Sequence, residues 1–168
     1  MKIVFTGPES SGKTQLSQAI AKQFNAQWFP EYAREYLLAR GGKYDVDDIE
    51  KIAVEQDDLR RSNEESGLKV YDTENIVFYI WSQFKYQRSS ETIVKLMTEQ
   101  QFDYYFLCDP TDIPWEDDPL REHPNQREEL FTLYLDQLRL LNVPFTILSG
   151  NFKERMDVVI KVVEGILK

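Results

Sequence analysis

Gly7-Pro8-Glu9-Ser10-Ser11-Gly12-Lys13-Thr14 is the stretch on which the reading of this chain turns. It has the form G-x-x-x-x-G-K-[ST], and chemistry explains each fixed type. Glycines let the backbone turn so that successive N–H groups face phosphate oxygens. The helix that follows aims its positive end at the same place. The Lys13 ammonium suits the β- and γ-phosphates of a nucleoside triphosphate, and the Thr14 hydroxyl is a ligand for Mg²⁺. Gly7, Glu9, Ser10, Ser11, Gly12, Lys13 and Thr14 therefore form the candidate nucleotide-binding set. At average residue usage the four fixed positions would coincide in on the order of one chain in a hundred of this length. The flanks lower that chance further. Residues 2–6 are an apolar run that reads as a buried strand, and a helix is expected from Lys13 with Leu16, Ile20 and Phe24 on one face. The motif points to phosphate binding without naming a reaction.

Working outward, strands are expected at 27–29, 68–72, 104–108 and 144–148, with the second closed by Pro30. Helices are expected at 31–39, 45–65, 76–86, 89–101 and 124–141, and a final one carries Met156, Val159, Ile160, Val163 and Leu167. The 45–65 helix presents Ile49, Ile52, Ala53 and Leu59, and Asp45 or Asp47 is placed to cap it. The 76–86 segment is apolar on nearly every face, so it is either fully buried or lines a cleft. Residues 109–123 hold three prolines and no helical stripe. A loop of that length is often a functional lid. Alternating strands and helices predict an α/β fold, a parallel sheet covered on both faces. Without repeats, low-complexity segments or a visible boundary, one domain is expected over 1–168.

The 168 residues carry 29 acids against 20 Lys and Arg, a net charge of −9. Such a chain repels nucleic-acid phosphates, so a nucleic-acid partner is not expected and a small-molecule substrate is. One cysteine, Cys108, rules out an internal disulfide and is read as a buried strand end. No signal peptide and no apolar run near the roughly 20 residues of a membrane helix are present. A cytoplasmic protein is expected, without membrane association, as a monomer or small homo-oligomer. His123 lacks a Cys or His partner for zinc and is read as a solvent-facing residue at a helix start.

Asp72 ends the third strand, and in open parallel sheets ligands sit at the carboxyl ends of strands. It is a candidate for holding Mg²⁺ with Thr14, or else an ordinary cap for the next helix. An Asn-Lys-x-Asp guanine loop is missing, as is an Asp-x-x-Gly after a strand. Leu148-Ser149-Gly150 lacks the rest of a transporter-ATPase signature. A small-molecule kinase is the class these features leave. Its acceptor side has three sources. Glu31 leaves the second strand beside the phosphate loop, where a carboxylate can take the proton of an acceptor hydroxyl. Arg34, three residues on, reaches a phosphate, or else only pairs with Glu31. Tyr32 shares that segment. Tyr79 and Trp81 offer rings for stacking, or are core. Arg121, with Arg127 beyond it, is placed to swing over a triphosphate as a lid closes, or else merely offsets the acids at 116–118.

Four segments together resemble the ribosylnicotinamide kinase domain of NadR-type proteins, a P-loop group of the AAA/ATPase kind. They are residues 7–14; Glu31-Tyr32-Ala33-Arg34-Glu35-Tyr36; Tyr71-Asp72-Thr73-Glu74; and Trp115-Glu116-Asp117-Asp118 through Arg121. The likeness spans nearly the whole chain. Pro30 and Ala33 stand where the family often has tryptophan and glycine, and Pro119 stands where its lid usually has glycine. The stacking aromatic would then come from Trp28, Tyr79 or Trp81. The resemblance implies a nucleotide-kinase sheet of order 2-3-1-4-5 with a lid at 109–121. It implies that ATP, with Mg²⁺, phosphorylates the 5′-hydroxyl of nicotinamide riboside to give nicotinamide mononucleotide in NAD biosynthesis. With Met1 opening the first strand, the adenylyltransferase domain often fused to such kinases is expected to be missing. Another nucleoside or small acceptor is the rival within the class. A P-loop regulator that binds ATP without an acceptor is the rival outside it.

Overall fold

A computed structural model describes residues 1–62 and 66–167 of the chain. Among the described residues five strands form one sheet: β1 (Lys2–Thr6), β2 (Gln27–Phe29), β3 (Lys69–Asp72), β4 (Tyr104–Cys108) and β5 (Phe145–Leu148). Their order is β2-β3-β1-β4-β5 and every pair is parallel. The helices are α1 (Lys13–Gln23), α2 (Tyr32–Ala39), α3 (Val46–Arg61), α4 (Asn75–Tyr86), α5 (Glu91–Glu99), α6 (Arg127–Leu140) and α7 (Phe152–Ile166). The apolar runs of β1, β3 and β4, largely buried on both faces, are what such a sheet requires, while β2 and β5 at its edges are partly exposed.

Side-chain alternation on β1 divides the core. Ile3 and Phe5 face Leu16 and Ile20 of α1 and Val159 and Val163 of α7. Val4 faces the other way, with Ile76 and Ile80 of α4 and Leu130, Tyr134 and Leu138 of α6. Each such side chain contributes about 1.5–3 kcal/mol on full burial. A third cluster joins α2, α3, α4 and α5 through Leu37, Ile49, Ile52, Phe78 and Ile93. Among the described residues no helix is long and apolar enough to cross a membrane.

The central β1 pairs with β3 and β4, with Phe5 opposite both Asp72 and Phe106. The phosphate-loop motif, Asp72 and the 109–126 segment therefore leave adjacent strands at the same edge. Gly7 is obligatory there: its φ is +131°, and a Cβ would lie 2.8 Å from the Cys108 carbonyl oxygen. Asp45 caps α3 with a capping box completed by Asp48.

The start of the 124–141 helix and the inward placing of Leu59 are corrected. The helix expected over 124–141 begins at Arg127, because the His123 amide is already held by the Glu9 carboxylate and a turn follows from the His123 carbonyl to Gln126. The last helix begins at Phe152, where Asn151 and Glu154 form a capping box ahead of the apolar stripe. Leu59 is 43% exposed, and the buried face of α3 continues instead through Gln56, Asp57 and Arg60. Arg60 and Asn75 both donate to Asp57, and Gln56 bonds the Tyr32 amide and the Pro30 carbonyl, so an apolar residue is not needed there. The 45–65 helix is described to Arg61, and its expected residues 63–65 lie outside the described residues.

Candidate active site

The C-terminal edge of the sheet opens into a cleft of about 530 Å³. Its floor is the loop 7–14 with Asp72. One wall is α2 with Glu31 and Arg34, another is α4 with Val77, Ile80, Trp81 and Phe84, and the roof is 113–123. Both readings of α4 hold together, since Ile76 and Phe78 are buried while Trp81 and Phe84 face the cleft.

Lys13 curls back over the loop, its Nζ donating to the carbonyls of Gly7 (2.9 Å) and Pro8 (2.7 Å). Asp72 is 2% exposed, and its Oδ1 has no hydrogen-bond partner among the described residues. Burial raises its pKa, while a hydrogen bond from Thr14 and the charge of Lys13 pull it back. A buried carboxylate oxygen without a partner, beside a threonine hydroxyl, is a donor set that fits a hard divalent cation. Among the described residues no cluster of three or more His, Cys, Asp or Glu side chains could hold a metal, so such an ion would take its other ligands from phosphates and water. Glu31 lines the same cleft. Loss of hydration first, then the neighbouring Asp72 charge, raises its carboxyl to about 7 against the pull of Lys13.

The roof is pinned from several sides. Arg34 pairs with Asp118 of the roof rather than with Glu31, and that pairing lowers the Asp118 pKa. Arg121 donates to the Ser10 hydroxyl and to the Glu116 carbonyl, both at 2.7 Å. Arg127 stands outside the cleft wall and ties the Ser10 carbonyl (3.0 Å) to the Ile113 carbonyl (2.8 Å). The Glu9 carboxylate accepts the amides of Glu122 and His123, both at 3.1 Å. His123, expected at the solvent surface, instead lines the cleft with its ring edge-on to Phe84. The Trp81 indole N–H donates to the Tyr44 hydroxyl (2.9 Å), which donates to Glu122 (2.7 Å) and accepts from Lys85 (2.6 Å).

Of the residues singled out from sequence, the cleft gathers Gly7, Glu9, Ser10, Ser11, Gly12, Lys13, Thr14, Trp28, Glu31, Arg34, Asp72, Trp81 and Arg121. Tyr32 and Tyr79 lie outside its wall; Tyr32 packs on Tyr36. Three residues were missed. Arg155 is 1% exposed and donates to the carbonyls of Gly150 (2.7 Å), Ser11 (3.0 Å) and Asp109 (2.8 Å), so one guanidinium joins the phosphate loop to the ends of β4 and β5. Its signal was its spacing, since 155, 159 and 163 form one inward stripe. Gln56 was likewise the next position of the stripe 49, 52, 53. Glu74 caps α4 through the Ile76 amide and also accepts from Thr6 and Gln100; burial raises its carboxyl to about 7.

An all-parallel sheet in this order, with a phosphate loop after the central strand and a long loop after its neighbour, is the P-loop fold of the nucleotide-kinase type. The chain belongs to the AAA domain family, whose model matches residues 2–155. Solved structures agree on the fold. A NadR protein in complex with NR superposes with a TM-score of 0.82 at 21% identity, over 98% of this chain and 50% of that one. A NadR protein in complex with NAD and AMP-PNP gives 0.76 at 20% identity, over 97% and 48%. Thymidylate kinase from Ehrlichia chaffeensis gives 0.72 at 15% identity, over 98% of each chain. The chain thus spans about half the length of the NadR proteins. No curated protein matches it in sequence.

Proposed function

We propose that the protein is an ATP- and Mg²⁺-dependent kinase acting on the 5′-hydroxyl of a nucleoside, with nicotinamide riboside the preferred acceptor and nicotinamide mononucleotide the product. The observation that carries this reading is Glu31, a carboxylate raised to about 7 in the same cleft as Lys13 and the Thr14–Asp72 pair. A base with a pKa near neutrality is suited to take a hydroxyl proton. The cleft's charge narrows the acceptor. Glu9, Glu31, Asp72, Glu116 and Asp118 stand against Lys13, Arg34 and Arg121, and Arg34 is already paired. Five carboxylates against three cations disfavour an acceptor that brings its own phosphate and favour a cationic pyridinium ring. Trp81, held by its indole N–H, offers that ring an aromatic face. The NadR protein solved with NR and the one solved with NAD and AMP-PNP support the same choice.

In this mechanism the loop amides and Lys13 neutralise the β- and γ-phosphates. Thr14 and Asp72 would hold Mg²⁺, which supplies charge neutralisation at the phosphate oxygens when bound. Glu31 orients the acceptor hydroxyl and accepts its proton. The hydroxyl oxygen bonds to the γ-phosphorus as the bond to the bridging β,γ-oxygen breaks, and ADP leaves. Arg121 from the roof and Arg34 from α2 face the charge that develops on the transferring group.

The test is incubation with Mg²⁺-ATP and a nucleoside panel that includes nicotinamide riboside, with products followed by mass. A nicotinamide mononucleotide peak that disappears in Lys13→Ala and falls steeply in Glu31→Gln is expected. A product from another nucleoside keeps the kinase and moves the acceptor. ADP release indifferent to every nucleoside rejects the proposal in favour of an ATP-binding regulator.

A further inference from the structure

α2 begins without help from its own N-cap. Glu31 occupies the cap position in an extended conformation (φ −72°, ψ 120°), and its side chain makes no hydrogen bond to the helix. A side-chain oxygen at the cap position can fold back onto the first-turn amides, which otherwise lack partners, as Glu74 does for α4. Here the acceptor comes from another helix. Gln56, on α3 and 5% exposed, accepts the Tyr32 amide N–H with its Oε1 at 2.7 Å. The same side chain donates from Nε2 to the Pro30 carbonyl at 3.2 Å. One amide group therefore brackets Glu31, holding the residue before it and the residue after it.

The bracket has a chemical consequence. Pro30 has no N–H to give, so the two residues between β2 and α2 lack the hydrogen-bond ladder that fixes a strand or a helix. With the Tyr32 amide satisfied from α3, the Glu31 carboxylate is not drawn back onto its own helix. It lines the cleft instead, near enough to Lys13 and Asp72 to feel both charges. Gln56 itself is not among the residues of the cleft wall.

We infer that Gln56 is a positioning residue for the proposed phosphoryl transfer: its side-chain amide clamps the backbone on both sides of Glu31, so that the carboxylate faces the acceptor hydroxyl rather than capping α2. The inference rests on the role given to Glu31 above. A displacement of about 1 Å in such a group can lower turnover by about a hundredfold.

Gln56→Met and Gln56→Leu preserve bulk and remove both hydrogen bonds. In the Mg²⁺-ATP and nicotinamide riboside assay, or with whichever panel nucleoside is turned over, each should lower kcat by about 10- to 100-fold while the KM for ATP changes less than about twofold. The same replacements made in Glu31→Gln should alter the residual rate by less than about twofold, because the group being positioned is gone. An equal loss in both backgrounds would overturn the inference, since it would mean that Gln56 acts through general stability. Glu31→Gln with parental turnover would refute the catalytic reading itself, and the single variant shows that without reference to Gln56. Hydrogen exchange supplies a readout that needs no turnover. The Tyr32 amide should exchange faster in Gln56→Met while the β1 amides keep their protection, and unchanged exchange at Tyr32 would overturn the clamp.

Discussion

Replacing Arg155 by methionine tests how the phosphate loop is held. The guanidinium is buried and donates to three backbone carbonyls, those of Gly150, Ser11 and Asp109. A hydrogen bond from a charged donor is worth about 1.5–3 kcal/mol. Three of them exceed the several kcal/mol that burying a guanidinium costs, a cost that the nearby Asp109 charge eases. The net loss on replacement is therefore about 3 kcal/mol, since methionine keeps the packing and leaves three carbonyls without their donor. At about 2–4 °C per kcal/mol for a chain of this size, Tm should fall by roughly 6–12 °C. Because one of the three carbonyls belongs to Ser11, affinity for Mg²⁺-ATP should also fall, by about tenfold, measured by calorimetry at a temperature where the variant is folded. Arg155→Lys should recover less than half of the stability, since an ammonium lacks the fork that reaches three acceptors. Scanning calorimetry that gives a Tm within about 2 °C of the parent, together with parental ATP affinity, would refute the reasoning.

Two further outcomes follow from the roof and from Glu31. Arg121→Ala should lower kcat by about 10³-fold while weakening ATP binding far less, and equal kcat in variant and parent would remove Arg121 from the transfer step. The pH dependence has a definite sign. In the proposed mechanism Glu31 would act as a base when ionised, and its carboxyl is raised to about 7, so kcat/KM should fall as pH drops through about 7 rather than near the ordinary glutamate value. Glu31→Gln should abolish that limb, and a parental limb retained in the variant would assign it to another group.

Much of the fold was legible because β1, β3 and β4 are short apolar runs whose burial on both faces is written in composition alone. The strand order was not: periodicity names strands without pairing them, and 2-3-1-4-5 came from a family resemblance. Lys13, Thr14, Asp72 and Glu31 were legible because a motif or a strand end places them at one edge. Gln56 and Arg155 were not, because both are polar residues on inward stripes of helices, and a hydropathy pattern passes over a polar residue whose partners are backbone carbonyls and amides distant in sequence. His123 was misread for a related reason. Its surroundings depend on Glu9, and no local pattern records a contact between residues so far apart.

On the proposed function, the groups that would meet the triphosphate follow β1 and β3 at one sheet edge, whereas α2 and α4 would supply the acceptor's walls. Those two inheritances vary separately. Side chains on a helix face or in a loop can be exchanged at modest cost, while Gly7, pressed against the Cys108 carbonyl, cannot. On that reading, a lineage built on this frame, or an engineer starting from it, can redraft the preferred acceptor by changing Trp81, Phe84 and Leu37, and leave the phosphate loop and Arg121 as they stand.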